Sequence, residues 1–213
     1  MCIRDRSIRY NGCELRNAAD NVRSGIISYL GHDPELFNDS VRNNVLLGDD
    51  YDVFEYLRAV CMDKEVEAME QGADTIIGSE GIRLSGGQAQ RIALARMLCH
   101  KKLVLVLDDP FSALDRNTEE QIYKKLKDMA SDNIVILISH RLYMFPKMDK
   151  VIWMDAGKAN VGTHKELMLE CPGYRKMYET VSVEECRTVE TENEGLAAAK
   201  VVENSRRVVD KHE

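Results

Sequence analysis

The stretch GSEGIRLSGGQAQRIALARML, residues 78–98, sets Ser85, Gly86, Gly87 and Gln88 at the mouth of a helix whose apolar spacing predicts a strongly amphipathic element. Ser85 and Gln88 have the spacing of a capping box, in which each side chain satisfies a backbone N–H group near the other residue. Gly86 and Gly87 remove side chains where free N–H groups point outward, and a helix N-terminus carries partial positive charge. Such a terminus binds anions, phosphate above all. Two carboxylates, Asp108 and Asp109, end the apolar run LVLVLDD at 103–109, and two imidazoles follow apolar runs, His32 after ISYLG and His140 after IVILIS.

These residues need elements to hold them. A short extended segment from Ser7 to Gly12 ends in the turn pair Asn11-Gly12, and GIISYLG at 25–31 is a second strand. Residues 40–100 read mostly as helix, with Phe54, Leu57 and Cys61 at helical spacing. The run at 103–109 then predicts a strand buried on both faces of a parallel sheet. A helix starts at about Asn117, with Glu120 in capping-box register and Ile122, Leu126, Met129 and Ala130 on one face. NIVILISH at 133–140 reads as another buried strand, residues 150–162 as a hairpin turning at Ala156-Gly157, and Thr163 with Glu166 as the cap of a last helix reaching about Glu179. Strand and helix alternate, which predicts an α/β fold built on a parallel sheet with a helical insertion.

The 213-residue chain is 44% hydrophobic and 31% charged, an ordinary globular balance. Its net charge of -7 leaves no basic stripe for a phosphodiester backbone, which argues against nucleic acid as a principal partner. The six cysteines form no C-x-x-C pair, and Cys61 and Cys99 fall in apolar helical patterns, so they read as reduced, partly buried thiols. No apolar run approaches the roughly 20 residues of a membrane helix, and no signal peptide is present. The first six residues, MCIRDR, resemble a stretch that recurs where sequencing adapters contaminate reading frames, so Ser7 reads as the first residue proper. From Ser182 to residue 213 the chain has no aromatic residue and many charges, as expected of a flexible tail.

LSGGQ, with GSEG before it, QRIALARML after it and a carboxylate-ended strand beyond, resembles the ATP-binding cassette (ABC) family from Ser7 to about Thr180. The resemblance implies a P-loop NTPase core over 7–181 with a helical subdomain at about 38–100. It also implies that Leu84, Ser85, Gly86, Gly87 and Gln88 form the signature that closes on the γ-phosphate of ATP held by a second nucleotide-binding domain. LVLVLDDPFSALD resembles the Walker B strand and D-loop. Asp108 would bind Mg²⁺ through water, as suits a hard ion, and Ser112, Ala113, Leu114 and Asp115 would form the D-loop at the meeting of two subunits. His140 matches the switch histidine that hydrogen-bonds the γ-phosphate.

Two positions depart from the family pattern. Asp109 stands where a glutamate usually acts as the base, and a side chain one methylene shorter falls more than ~1 Å short of the attacking water. Geometry at that scale costs ~10²-fold in rate, so this site is expected to bind ATP better than it hydrolyses it. His32 replaces a glutamine of the loop that touches Mg²⁺, and imidazole suits that ion less well. The phosphate cradle G-x-x-x-x-G-K-[ST] is absent: the Gly157-Lys158 pair precedes Ala159 and has Ile152 where the first glycine belongs. Truncation is the simplest reading, with cradle and membrane domain upstream and the fragment inactive alone. TIIGSEGIRLSGGQ resembles exporter cassettes, and the weakened Asp109 site resembles one half of a heterodimeric exporter at the cytoplasmic face of the plasma membrane. A soluble cassette of translation or DNA repair, and a regulatory module without a cradle, stand as alternatives.

Overall fold

In the computed structural model, residues 9–10, 12–78 and 81–180 are described. The suspect start at 1–6 and the charged tail from Ser182 lie outside them. The chain divides into two compact units, residues 1–139 and 140–213.

The first unit opens with a small antiparallel hairpin, β1 (Arg9–Tyr10) and β2 (Cys13–Glu14), whose turn uses Gly12 at φ 80°, a left-handed conformation open to glycine. A short helix the periodicity did not predict, α1 (Asp20–Ile26), leads into β3 (Ile27–Leu30). Its N-cap is Ala19 and none of its residues is buried, so neither a capping side chain nor an apolar stripe marked it. The central sheet has the order β3, β6 (Val104–Asp108), β7 (Ile134–Ile138), and both pairs are parallel. Parallel neighbours need crossover connections. The first crossover carries the helical insertion, and the second is α6 (Arg116–Met129).

The insertion comprises α2 (Val41–Leu46), α3 (Val53–Ala59), α4 (Asp63–Glu67) and α5 (Gly86–Cys99), with a two-strand ribbon of β4 (Asp39–Ser40) and β5 (Ile76–Ile77). Ile92, Ala93, Leu94, Ala95, Met97 and Leu98 of α5 are all buried, because α2, α3 and β3 surround it. It is therefore a central helix and not the amphipathic one expected. Cys61 lies just beyond α3 in a turn at φ 55°, outside the helix its spacing suggested, and both Cys61 and Cys99 are free and half-buried. Buried Asn44 accepts from the Phe37 N–H and donates to the Phe37, Asp39 and Ser40 carbonyls, and Arg96 reaches its carbonyl and side chain at 2.6 and 2.8 Å. Burial lowers the pKa of Arg96.

Three expectations about strands and helix ends change. β6 buries Leu105 and Leu107 but only half-buries Val104, Val106 and Asp108, so one face is covered and not two. β7 is not a buried strand: Ile134 and Ile138 are 58% and 51% exposed. It lies at the edge of the described sheet, and no described strand pairs with its outer side. α6 starts one residue before Asn117, because Asp115, not a capping box at Glu120, accepts from the Thr118 N–H at 3.0 Å. Ile122, Leu126 and Ala130 do face the core.

In the second unit, β8 (Val151–Asp155) and β9 (Lys158–Gly162) form the expected hairpin, with Ala156 at φ 46° and Gly157 at φ 79°. Thr163 and Glu166 make a true capping box for α7 (His164–Glu170). The predicted final helix is broken at Cys171, which is extended, and Pro172 starts a second helical stretch over 172–180. Fully buried Tyr174 packs with Val151 and Leu167, its pKa raised by burial to about 12, and its hydroxyl shares a 2.8 Å hydrogen bond with Nδ1 of His164, a residue whose pKa burial lowers.

Candidate functional site

The mouth of α5 is built as its sequence requires. Gln88 N–H donates to Ser85 Oγ at 3.3 Å, and Ser85 N–H donates to Gln88 Oε1 at 2.9 Å, completing the capping box. Gln88 Nε2 also donates to Glu65 at 2.8 Å, and Arg91 pairs with the same carboxylate at 2.8 Å, which ties the mouth to α4. Burial pushes the Glu65 pKa upward, yet the Gln88 and Arg91 contacts outweigh it and the carboxyl titrates below its ordinary value.

The two glycines do different work. A Cβ on Gly86 would meet nothing within 4 Å, and Gly86 and Ser85 are exposed. A Cβ on buried Gly87 would lie 3.0 Å from the Ala113 carbonyl and 3.4 Å from the Ala113 Cβ. Gly87 is thus a packing position that lets the Ser112–Asp115 loop close on the helix, while Gly86 leaves the outer side bare. Leu84 precedes them, half-buried.

Asp108 is the last residue of β6, at the carboxyl end of a parallel strand where ligands of open α/β sheets gather. Its Oδ2 accepts from the Tyr29 hydroxyl at 3.0 Å. Asp109 follows at φ 48°, a left-handed conformation that aspartate tolerates better than most residues. Its N–H donates to the Ile138 carbonyl at 2.8 Å and its carbonyl accepts from Gln90 Nε2 at 3.0 Å. Ser112 Oγ donates to Gln90 Oε1 at 3.5 Å, and the Ser112 N–H returns to the Asp109 carbonyl at 3.3 Å. Asp115 caps α6, and the bonds from the Thr118 side chain and N–H lower its pKa.

Within the first unit, therefore, Ser85 to Gln88, Asp109 and the Ser112–Asp115 loop meet through Gly87 and Gln90. His32 is exposed in the bend after β3, and His140, also exposed, opens the second unit. Gln90 and Tyr29 escaped the sequence reading. Gln90 had a legible signal, since a glutamine on the Gly87 and Leu94 side of an apolar helix must find a buried partner. Tyr29 had none, because its partner is 79 positions away.

Among the described residues no group of three or more His, Cys, Asp or Glu could hold a metal. Asp108 offers hard oxygen donors on a single carboxylate. That set suits Mg²⁺, which binds through one or two carboxylates plus substrate phosphates, and does not suit zinc.

A carboxylate at the end of a parallel strand, followed by a loop that packs on Gly87 behind a bare helix mouth, fits an α/β domain that handles phosphate groups. The ABC transporter family profile matches residues 4–112, and the chain belongs to that family. It is 35% identical over 175 residues to the ATP-dependent lipid A-core flippase of Alcanivorax borkumensis, covering 79% of this chain and 29% of that protein. It is 32% identical over 177 residues to the glutathione/L-cysteine transport system ATP-binding/permease protein CydD of Bacillus subtilis, covering 81% and 31%. The structure of a bacterial Atm1-family ABC exporter with ATP bound superposes with a TM-score of 0.73 at 28% identity, over 80% of this chain and 31% of that one. The chain spans less than a third of the length of these curated relatives. Among the described residues no helix is long and apolar enough to cross a membrane.

Proposed function

We propose that the chain is the ATP-binding and ATP-hydrolysing part of an ABC exporter subunit, which drives transport when two cassettes close on nucleotide at the cytoplasmic face of the plasma membrane. The bare outer side of the α5 mouth carries this reading. The Ser85 N–H is spent on Gln88 within the capping box, so the donors left at the mouth are the N–H groups of Gly86 and Gly87, the first two residues of the helix, and the packing of Gly87 and Gln88 makes them rigid before any anion arrives. In trans, these groups hold the γ-phosphate of ATP bound to a second cassette.

In this subunit's own site Asp108 would be the carboxylate that holds Mg²⁺, and the ion would supply neutralisation of phosphate charge. Asp109 orients and deprotonates the attacking water from a shorter reach than glutamate, His140 donates to the γ-phosphate, and His32 lies in the loop facing the membrane domain. The Ser112–Asp115 loop meets the second cassette. The weak Asp109 site favours a heterodimer, in which this chain's intact signature completes the stronger site of its partner. The name of the Bacillus subtilis relative, ATP-binding/permease protein, supports a membrane domain on the same polypeptide. No described strand pairs with the outer edge of β7, which leaves room for a further parallel strand bearing the phosphate cradle.

The test is Gly86→Val in the full-length protein with its partner. The added side chain enters open space and leaves the fold intact, but it fills the path of the phosphate. ATPase turnover is expected to fall roughly 10²-fold while nucleotide binding at this subunit's own site persists. Unchanged turnover would overturn the shared-site reading.

A further inference from the structure

β3 and β6 run parallel with Tyr29 opposite Val106 and Leu30 opposite Leu107. The same register carries Gly31 into the row of Asp108, and alternation puts residues 29, 31, 106 and 108 on one face. Tyr29 therefore lies two residues short of Asp108, a gap of roughly 6.6 Å along the strand. A side chain as long as tyrosine's closes it, and the hydroxyl donates to Asp108 Oδ2 at 3.0 Å.

The ring crosses Gly31 to get there. A Cβ on Gly31 would stand 3.3 Å from Tyr29 Cε1, 3.5 Å from its hydroxyl oxygen and 3.7 Å from Cζ. Gly31 is not among the glycines with positive φ, so its backbone does not call for glycine. The missing side chain clears the lane for the phenol.

We propose that Tyr29 is a positioning residue for Asp108, its phenol fixing the carboxylate rotamer across Gly31 and thereby setting the divalent-cation affinity of the nucleotide site. With Oδ2 engaged by Tyr29, Oδ1 is the carboxylate oxygen that would be left for an ion held at Asp108. This is the role of an outer-shell partner, and it rests on the reading of Asp108 as the metal-side carboxylate.

The experiment is a Mn²⁺ titration of the full-length protein with its partner and a non-hydrolysable ATP analogue, read by electron paramagnetic resonance. Tyr29→Phe keeps the ring and removes the donor, and it is expected to raise the half-saturating Mn²⁺ roughly tenfold, the low end of what outer-shell partners contribute. Gly31→Val, which pushes the ring aside, shifts it in the same direction. Asp108→Asn separates the two readings. If Asp108→Asn weakens Mn²⁺ binding and Tyr29→Phe does not, Tyr29 has no positioning role and the metal reading survives. If Asp108→Asn leaves binding unchanged, both fall. Should Gly31→Val fail to fold, Tyr29→Phe decides alone.

Discussion

Gly86 and Gly87 are neighbours of one type with opposite surroundings, and substitution separates them. Gly87→Val drives a branched side chain into the Ala113 carbonyl, 3.0 Å from the Cβ position, and is expected to cost about 1–3 kcal/mol through overpacking. Gly86→Ala meets open space and gains helix propensity, so thermal melting of the cassette should stay level or rise, by no more than about 1 kcal/mol. Asp109 makes a second case. Asp109→Glu in the full-length pair is expected to raise hydrolysis at this subunit's own site by up to ~10²-fold, since the longer side chain restores reach. The backbone sets a counterweight, because φ 48° suits aspartate better than glutamate, and the variant should melt lower by about 1 kcal/mol. An ATPase rate that does not move would remove the weakened-site reading.

At the scale of elements, capping did much of the specifying. Ser85 and Thr163 start their helices where the spacing to Gln88 and Glu166 predicts, because a capping box is a local bond between residues three apart. α6 depends on Asp115. Asp115→Ala is expected to cost about 1 kcal/mol, the usual value of a lost N-cap. The sign of its pH dependence follows from the lowered pKa of Asp115, caused by bonds from the Thr118 side chain and N–H. A depressed carboxyl stabilises fully above its unfolded value near 3.9 and loses that contribution as pH falls through the folded value. The melting gap between wild type and Asp115→Ala should therefore be constant near neutrality and narrow below about pH 4. A gap unchanged into acid would show that the carboxylate does not cap. Helices without such marks were harder to read: α1 lacks a cap, and the break at Pro172 was missed because Thr163, Glu166 and the apolar spacing pointed to one continuous helix.

For the molecule as a whole, the edge of the parallel sheet sets behaviour in solution. β7 presents Ile134, Ile136 and Ile138 at 58%, 41% and 51% exposure beside a row of backbone groups that no described strand pairs, a template for association. The chain of 213 residues expressed alone is expected to associate in a concentration-dependent way by light scattering, and Ile136→Lys should suppress it. A monomer at all concentrations would mean that the edge is covered.

What the amino-acid order determined by itself was whatever rests on near neighbours: the α5 mouth, the cap of α7, the Ala156-Gly157 hairpin and the alternation that makes an α/β sheet. Each depends on residues within a few positions, where a pattern is a physical constraint. Only the tertiary structure decided which apolar strand is covered, why Gly87 must be small, and that Tyr29 reaches Asp108 over Gly31. Those outcomes depend on which surfaces meet after distant segments pack, and apolar runs as alike as those of β6 and β7 say nothing of their neighbours in space.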